Sequence, residues 1–254
     1  MLLWTVHVLF VIPARIGSSR IPRKPLRLLH GEPLVRRVVR NALVSCGWSH
    51  VVVAADDQRV LEAVSDLDVD RVMSSPLHNS GTERVAEVMM RPEYADYNAA
   101  VNLQCDQVSA FGHATSSVLR CLGDGFPLAT CAVPLAPRDL TDPNRVKVEI
   151  GSGGQALAFS RSAIHPERST DVMLHVGIYA YTRSALSEWI ALPAVAAEAQ
   201  ERLEQLRPLE HGMPIAVAVL DEPAPTVIDT SEDLRRARLA VPGSTAEPAL
   251  RISV

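Results

Sequence analysis

The sequence predicts an α/β fold: a mainly parallel central sheet with helices on both faces, and a smaller antiparallel lobe. Three observations predict it. Short, wholly apolar runs recur as far as residue 103, bounded by polar turns, as suits strands buried on both faces. Segments with apolar residues at helical spacing separate these runs, so the order reads β-α-β-α-β-α-β, the signature of parallel strands joined by crossover helices. Beyond Phe126, strand-like runs succeed one another with only short turns between them, which is the pattern of antiparallel pairing.

Residues 6–12 form the first buried strand, which stops at Pro13. Residues 33–43 place Leu34, Val35, Val38, Val39, Ala42 and Leu43 on one helical stripe, with Arg36, Arg37 and Arg40 outside it. A second strand at 51–55 leads to a short helix over 57–64, and a third strand occupies 71–74. Ser80-x-x-Glu83 reads as a capping box opening a helix to about residue 90. The fourth strand is 99–103. Residues 128–133, 146–150 and 156–160 are the antiparallel runs, the last two joined by the glycine-rich turn 151–154. A buried strand returns at 176–181, helices follow over 184–191 and 196–206, and a strand covers 215–220. Thr230 and Ser231 cap a last helix to about 239. On this reading one domain spans 1–240, its antiparallel lobe covers about 127–185, and the Pro/Ser/Ala-rich residues 241–254 are a loose tail.

A chain of 254 residues suffices for one large α/β domain. Apolar residues at 47% supply a sizeable core, whereas aromatics at 4% leave little for base-stacking on single-stranded nucleic acid. The net charge of −4 argues against a general binder of nucleic acid or anionic membrane. Lys24 and Lys147 are the only lysines among 25 lysines and arginines, a bias of the kind genome base composition produces. Cys46, Cys105, Cys121 and Cys131 show no C-x-x-C spacing, which suits thiols in a reducing, cytoplasmic setting. The first residues lack a signal-peptide pattern, and no apolar run approaches the roughly 20 residues of a membrane span.

The first strand empties into V-I-P-A-R-I-G-S-S-R-I-P-R-K-P-L, residues 11–26. Arg15, Arg20, Arg23 and Lys24 sit there among Pro13, Pro22 and Pro25. A stiff cationic loop beyond a strand's C-terminal end is where open α/β sheets bind ligands. Arginine forks and backbone N–H groups suit phosphate oxygens. A merely solvated basic loop is the alternative, and its position beyond the strand weighs against it. No G-x-G-x-x-G or Walker-type loop and no zinc pattern occurs. Asp106 follows the fourth strand, where a carboxylate can hold Mg²⁺ against a nucleotide, although a lone aspartate there also reads as a turn or cap. Asp229, before the last helix, reads by itself as a helix-dipole or capping residue.

The loop resembles the nucleotide-binding signature of the sugar-acid cytidylyltransferases, above all the CMP-Kdo synthetases, in which P-A-R-x-x-S-x-R-x-P-x-K-P-L follows the first strand. Pro13, Ala14, Arg15, Ser18, Arg20, Pro22, Lys24, Pro25 and Leu26 match, while Arg23 stands where the family usually has Gly. N-L-Q-C-D-Q-V, residues 102–108, resembles the family's metal motif V-N-x-Q-G-D-E-P, with Cys105, Gln107 and Val108 as departures. His78–Arg84, H-N-S-G-T-E-R, resembles its H-x-S-G-T-D-R, and V-I-D-T-S-E-D-L its terminal V-D-T-x-E-D-L. F-S-R at 159–161, H-V-G-I-Y-A-Y at 175–181 and L-E-Q-L-R at 203–207 match further; the tryptophan after F-S-R is missing, with Ile164-His165-Pro166 in its place.

The resemblance implies a Rossmann-like nucleotidyltransferase that uses CTP and Mg²⁺. It implies that Arg15, Lys24, Asp106 and Asp229 are catalytic, with Mg²⁺ on the two aspartates. It assigns the nucleotide to Pro13, Ala14, Arg15, Ser18, Arg20, Lys24, Asp56, Ser80, Gly81, Thr82, Arg84 and Gln104. The acceptor falls to Gln104, Arg161, His175, Glu204 and Gln205, and the assembly to a homodimer. Two acceptors stay open: a Kdo-type 3-deoxy-2-ulosonic acid, or a small phosphonate acid such as phosphonoformate, as in antibiotic pathways. The departures around Asp106 and the missing tryptophan fit a remodelled acceptor side, where a small doubly anionic acid would be held by Arg161, His175 and Gln104. A non-catalytic nucleotide-binding protein of the same fold is the alternative of another class.

Overall fold

A computed structural model describes residues 6–18, 20–45, 50–109, 112–164 and 171–240. Cys46, His165 and the tail 241–254 lie outside the described residues. The chain divides into two compact units, a split unit of Thr5–Thr115 with Pro225–Val254 and an inserted unit containing Ser116–Ala224.

The split unit begins with β1 (Val8–Ala14), a hairpin of β2 (Leu28–Leu29) and β3 (Glu32–Pro33), and α1 (Leu34–Ser45). It continues with β4 (His50–Ala55), α2 (Gln58–Glu62), β5 (Asp70–Met73), α3 (Gly81–Met89) and β6 (Ala99–Asn102). The strands lie in the order β6-β1-β4-β5, every pair parallel. Leu9–Ile12, Val51–Ala55 and Ala99–Val101 are all buried, which is why these strands read as unbroken apolar runs rather than alternating ones. The stripe of α1 buries Leu34, Val35, Val38, Val39 and Ala42, as its spacing requires. The hairpin turns at His30 and Gly31, both at positive φ (50° and 82°), the conformation a two-residue type I′ turn needs.

Next come α4 (Gly112–Gly123), β7 (Leu128–Val133), β8 (Lys147–Ile150), β9 (Ala156–Ser160) and β10 (Asp171–Thr182). Then follow α5 (Arg183–Ala191), α6 (Ala196–Glu201), α7 (Leu206–Glu210) and β11 (Ile215–Val219). In the inserted unit β10 pairs antiparallel with β7 and β8, and β8 with β9, while β11 runs parallel to β7. A register shift in β10 between Val176 and Tyr179 is filled by Thr130, whose hydroxyl lies 2.8 Å from the Ile178 carbonyl. Tyr179 and Tyr181 stack on each other, and Trp189 meets both edge-on.

The chain returns to the split unit with α8 (Ser231–Leu239), opened by a full capping box between Thr230 and Asp233. Three expectations change. α4 is an unforeseen helix. The helix expected over 196–206 breaks at Arg202, which is left-handed (φ 54°). At α3, Ser80 caps Glu83 N–H as expected, but the Glu83 carboxylate takes the N–H of Asn79, one residue earlier than a capping box places it. No helix among the described residues is long and apolar enough to cross a membrane.

Candidate active site

The parallel strands β1, β4 and β6 end at Ala14, Ala55 and Asn102, and the residues just beyond are Arg15, Asp56 and Gln104. Several bonds pin the cationic loop. Ile16 N–H donates to Asp56 Oδ1 at 2.8 Å, Ile21 N–H to Ser18 Oγ at 3.3 Å, and Arg27 Nε to the Pro22 carbonyl at 2.9 Å. Pro25 starts a single 3₁₀ turn, Lys24–Leu26, preceded by Arg23 in the left-handed region (φ 55°). Arg23 thus occupies a backbone shape that glycine adopts without cost. Arg15 remains exposed at the mouth of the strand, above buried Pro13 and Ala14.

Asp106 and Asp229 meet through backbone pairing. Ile228 N–H donates to the Asp106 carbonyl at 2.9 Å, Val108 N–H to that of Thr226 at 3.0 Å, and Gln107 bridges Val227. Both carboxylates then reach one ammonium: Lys24 Nζ lies 2.6 Å from Asp106 Oδ2 and 3.1 Å from Asp229 Oδ1, and also donates to the Ile228 carbonyl at 3.1 Å. Arg20 adds a second cation 3.0 Å from Asp229 Oδ1. Burial opposes a charged Lys24, but Asp106 and Asp229 outweigh it and raise its pKa above the usual lysine value. In this structure, therefore, Lys24 and Arg20 face the carboxylates rather than open space. Two carboxylate oxygens converging on one cation are a donor set that fits Mg²⁺, which takes few protein ligands and completes its shell with water and phosphate oxygens. No group of three or more His, Cys, Asp or Glu gathers among the described residues, so no all-protein metal cage competes with this pair.

The departures around Asp106 are interior. Cys105, Gln107 and Val108 are 8%, 3% and 6% exposed. Burial pushes the Cys105 thiol up to about 12, with Asp106 adding to it, so it is a neutral packing group.

Arg84, expected to offer its fork to the nucleotide, is 2% exposed and engaged with the Ser74 hydroxyl, the Ser75 carbonyl at 3.1 Å and Asp56 Oδ2 at 3.2 Å. Since Asp56 also holds Ile16 N–H, the pair supports the loop from beneath. In this structure Asp56 and Arg84 are thus turned to each other and to the loop backbone. Ser18 likewise closes the loop on itself. Thr82 is buried, and Ser80 caps α3. Gly81 lies where a Cβ would come 3.3 Å from both Gln104 Nε2 and Pro13 Cγ, and 3.6 Å from Asn102 Nδ2. The start of α3, Pro13 and Gln104 are therefore in close contact, and a side chain at Gly81 would have to push the Gln104 amide or the Pro13 ring aside by a few tenths of an ångström.

The residues assigned to the acceptor, Gln104 apart, are in the inserted unit. Arg161 is engaged with backbone: Nε with the Glu201 carbonyl (2.8 Å), one guanidinium N–H with Pro143 (3.0 Å), another with Arg202 (3.4 Å). His175 Nε2 lies 2.9 Å from Thr130 Oγ1, and burial pushes its pKa down to about 3, so the ring is neutral. Neither is a cation held ready for a small dianion. Gln205 is 3% exposed, and its amide Nε2 is a buried donor without a protein acceptor. Glu204 adjoins it, in the turn that follows left-handed Arg202.

Two roles escaped the sequence. Lys24 as partner of both aspartates joins residues 82 and 205 positions apart, which no local pattern signals. Lys147, wholly buried, donates to the carbonyls of Asp142 (3.1 Å), Arg145 (2.7 Å) and Arg161, a role no motif in the sequence signals.

A cytidylyltransferase family model matches residues 9–215. The chain is 42% identical over 241 residues to a 3-deoxy-manno-octulosonate cytidylyltransferase of Gemmatimonas aurantiaca, covering 91% of this chain and 92% of that protein. It is 40% identical over 246 residues to an 8-amino-3,8-dideoxy-manno-octulosonate cytidylyltransferase of Shewanella woodyi, covering 93% of this chain and 100% of the relative. A solved CMP:2-keto-3-deoxy-manno-octonic acid synthetase in complex with CTP superposes with a TM-score of 0.82 at 35% identity, over 91% of this chain and 97% of that one. The likeness thus runs through both units, and the chain belongs to the cytidylyltransferase family, among the CMP-Kdo synthetases, and is a CTP-dependent nucleotidyltransferase.

Proposed function

We propose that this enzyme transfers CMP from CTP to a Kdo-type 3-deoxy-2-ulosonic acid and releases pyrophosphate, with Mg²⁺ as its cofactor. The observation that carries the reading is the meeting of the cationic loop with Asp106 and Asp229 beyond the ends of parallel strands. Arg15 and Arg20 offer planar forks to the triphosphate, and Lys24 a point charge. Asp106 and Asp229 hold Mg²⁺, which when bound neutralises phosphoryl charge as a Lewis acid. The acceptor hydroxyl attacks the α-phosphorus in line, the bond to the β-phosphate oxygen breaks, and pyrophosphate leaves. The chain contributes positioning and charge neutralisation to this step. Gly81, at the open N-terminus of α3, lets the nucleotide approach beside Pro13 and Gln104.

For the acceptor, the relatives named above act on octulosonates, and none of them supports a phosphonate. The geometry weakens the phosphonate further. Its sequence argument rested on Cys105, Gln107 and Val108, which are buried, and on Arg161 and His175, which are engaged or neutral. A buried donor such as Gln205 Nε2 suits a sugar hydroxyl instead. Dimerisation and a cytoplasmic setting belong to the same proposal, resting on family resemblance alone; light scattering after size exclusion checks the first.

Pyrophosphate release with CTP and Mg²⁺ tests the reading, comparing Kdo, its 8-amino-8-deoxy analogue and phosphonoformate. Turnover with Kdo is expected. Turnover with phosphonoformate alone would overturn the acceptor assignment.

A further inference from the structure

We propose that Arg20, Lys24, Asp106 and Asp229 form a charge-exchange lock, so that divalent metal and triphosphate bind well together and each poorly alone. The proposal rests on the cytidylyltransferase reading of this site and adds how its occupancy is controlled. Each cation expected on the phosphates is here on a carboxylate expected on the metal: Lys24 at 2.6 Å and 3.1 Å from the two aspartates, Arg20 at 3.0 Å from Asp229. Two positive charges therefore balance two negative ones. The cluster is neither sealed nor fully solvated. The side chains of Lys24, Asp106 and Asp229 are 14%, 22% and 25% exposed, and that of Arg20 is 48% exposed.

A divalent cation arriving alone must displace Lys24 from both aspartates and then lie beside its displaced charge. A triphosphate arriving alone faces Asp106 and Asp229 behind the cations it needs. When both arrive, the partners exchange: Lys24 and Arg20 pass to phosphate oxygens, and the carboxylates pass to the metal. Each of the four side-chain charges has an opposite partner before and after, so none is left stranded in a partly buried site. The coupling is reciprocal by linkage, so whatever the metal adds to nucleotide affinity, the nucleotide adds to metal affinity. Lys24 serves this better than arginine because a compact ammonium can sit between two carboxylates at once.

The test is binding of each component alone to the full-length protein. Calorimetric titration with Mn²⁺ in the absence of nucleotide should give a dissociation constant at least about tenfold lower for Lys24→Met than for the wild type, a gain of about 1.4 kcal/mol. Arg20→Gln, at an exposed position and safe for folding, should give a smaller gain in the same direction. Conversely, Asp106→Asn should bind metal-free CTP, in EDTA, several-fold more tightly than the wild type, because Lys24 is freed toward the phosphates. Unchanged or weaker Mn²⁺ binding by both cation variants overturns the lock, as does unchanged or weaker metal-free CTP binding by Asp106→Asn. Pyrophosphate release by the wild type keeps the two readings apart. An active enzyme whose variants bind no better refutes only the lock, and an inactive chain whose variants do bind better refutes only the activity.

Discussion

Lys24 and Lys147, the chain's two lysines, sit one in each unit and face opposite partners. Lys24, in the split unit, is partly exposed and lies between two carboxylates that a metal could take over. Lys147, in the inserted unit, is wholly buried and spends its three donors on the backbone carbonyls of Asp142, Arg145 and Arg161. Arg161 behaves like Lys147, with its guanidinium on the carbonyls of Pro143, Glu201 and Arg202. The difference separates charge that can change partners, which is able to handle substrate, from charge that fixes backbone. It also separates Arg20 from Arg84, both in the split unit: the first is open and on a carboxylate, the second buried and holding the loop.

The largest effect should come from breaking the exchangeable side. Asp106→Asn or Asp229→Asn should lower kcat by about a hundredfold or more, on the scale of losing a principal electrostatic contact in a transition state. The melting temperature should hold, because each side chain is still partly exposed and the 106–108 to 226–228 pairing is made by backbone. Steady-state pyrophosphate release at saturating Mg²⁺ and a thermal melt measure the two. Near wild-type turnover in either variant would remove that carboxylate from the site.

The fixed side should break the other way. Lys147→Met removes this donor from the carbonyls of Arg145 and Arg161, while that of Asp142 keeps the Arg145 N–H, which should cost about 2 kcal/mol. For a chain of this size that is a fall in melting temperature of roughly 4–8 °C. The kcat of molecules that remain folded should change little. A variant that melts normally but loses turnover would place Lys147 among the working charges and erase the contrast with Lys24.

This contrast also shows what the sequence could and could not carry. The strands β1, β4, β6 and β7 were legible because burial on both faces leaves a largely apolar run, and α8 because Thr230 and Asp233 satisfy each other locally. α4 was not, since Gly112-His-Ala-Thr-Ser-Ser opens it with small and polar residues instead of an apolar stripe. The break at Arg202 was hidden because arginine, not glycine, takes the left-handed cap. The cations of the loop and the two aspartates stood out in the motifs, but the contacts they make with one another did not. Arg84 reads identically whether it faces a ligand or Asp56. Carbonyl acceptors such as those around Lys147 leave no trace in side-chain identity at all.

A smaller effect sharpens the comparison through pH. His175 has a pKa of about 3 in the fold, against about 6.5 when exposed. Below pH 6.5 the unfolded chain therefore binds a proton that the folded chain refuses, so stability falls as pH drops from 6.5 toward 3. The full linkage loss between pH 6.5 and 5.5 is about 1 kcal/mol, an upper bound because the side chain is partly exposed. His175→Gln should lack this slope. Melts of both proteins from pH 7.5 to 5.5 would show the wild type losing ground to the variant. Parallel curves would mean that His175 can be protonated in place and is available to an anion after all.

The smallest effect concerns Arg23, which combines a loop charge with a left-handed backbone. Holding a side chain at φ 55° costs about 1–2 kcal/mol, and replacing it with glycine gives back part of that through a more flexible unfolded chain. Arg23→Gly should therefore stabilise the protein by only about 0.5 kcal/mol, seen as a slight rise in melting temperature. Its value lies in the second measurement. If Arg23 belongs with Arg20 and Lys24 as working charge, the glycine variant should bind CTP in the presence of Mg²⁺ more weakly despite being more stable, and the affinity loss should shrink at high salt as a screened contact does. A variant that is more stable and binds equally well would class Arg23 as solvated surface. The exchangeable charges of the loop would then end at Arg20 and Lys24.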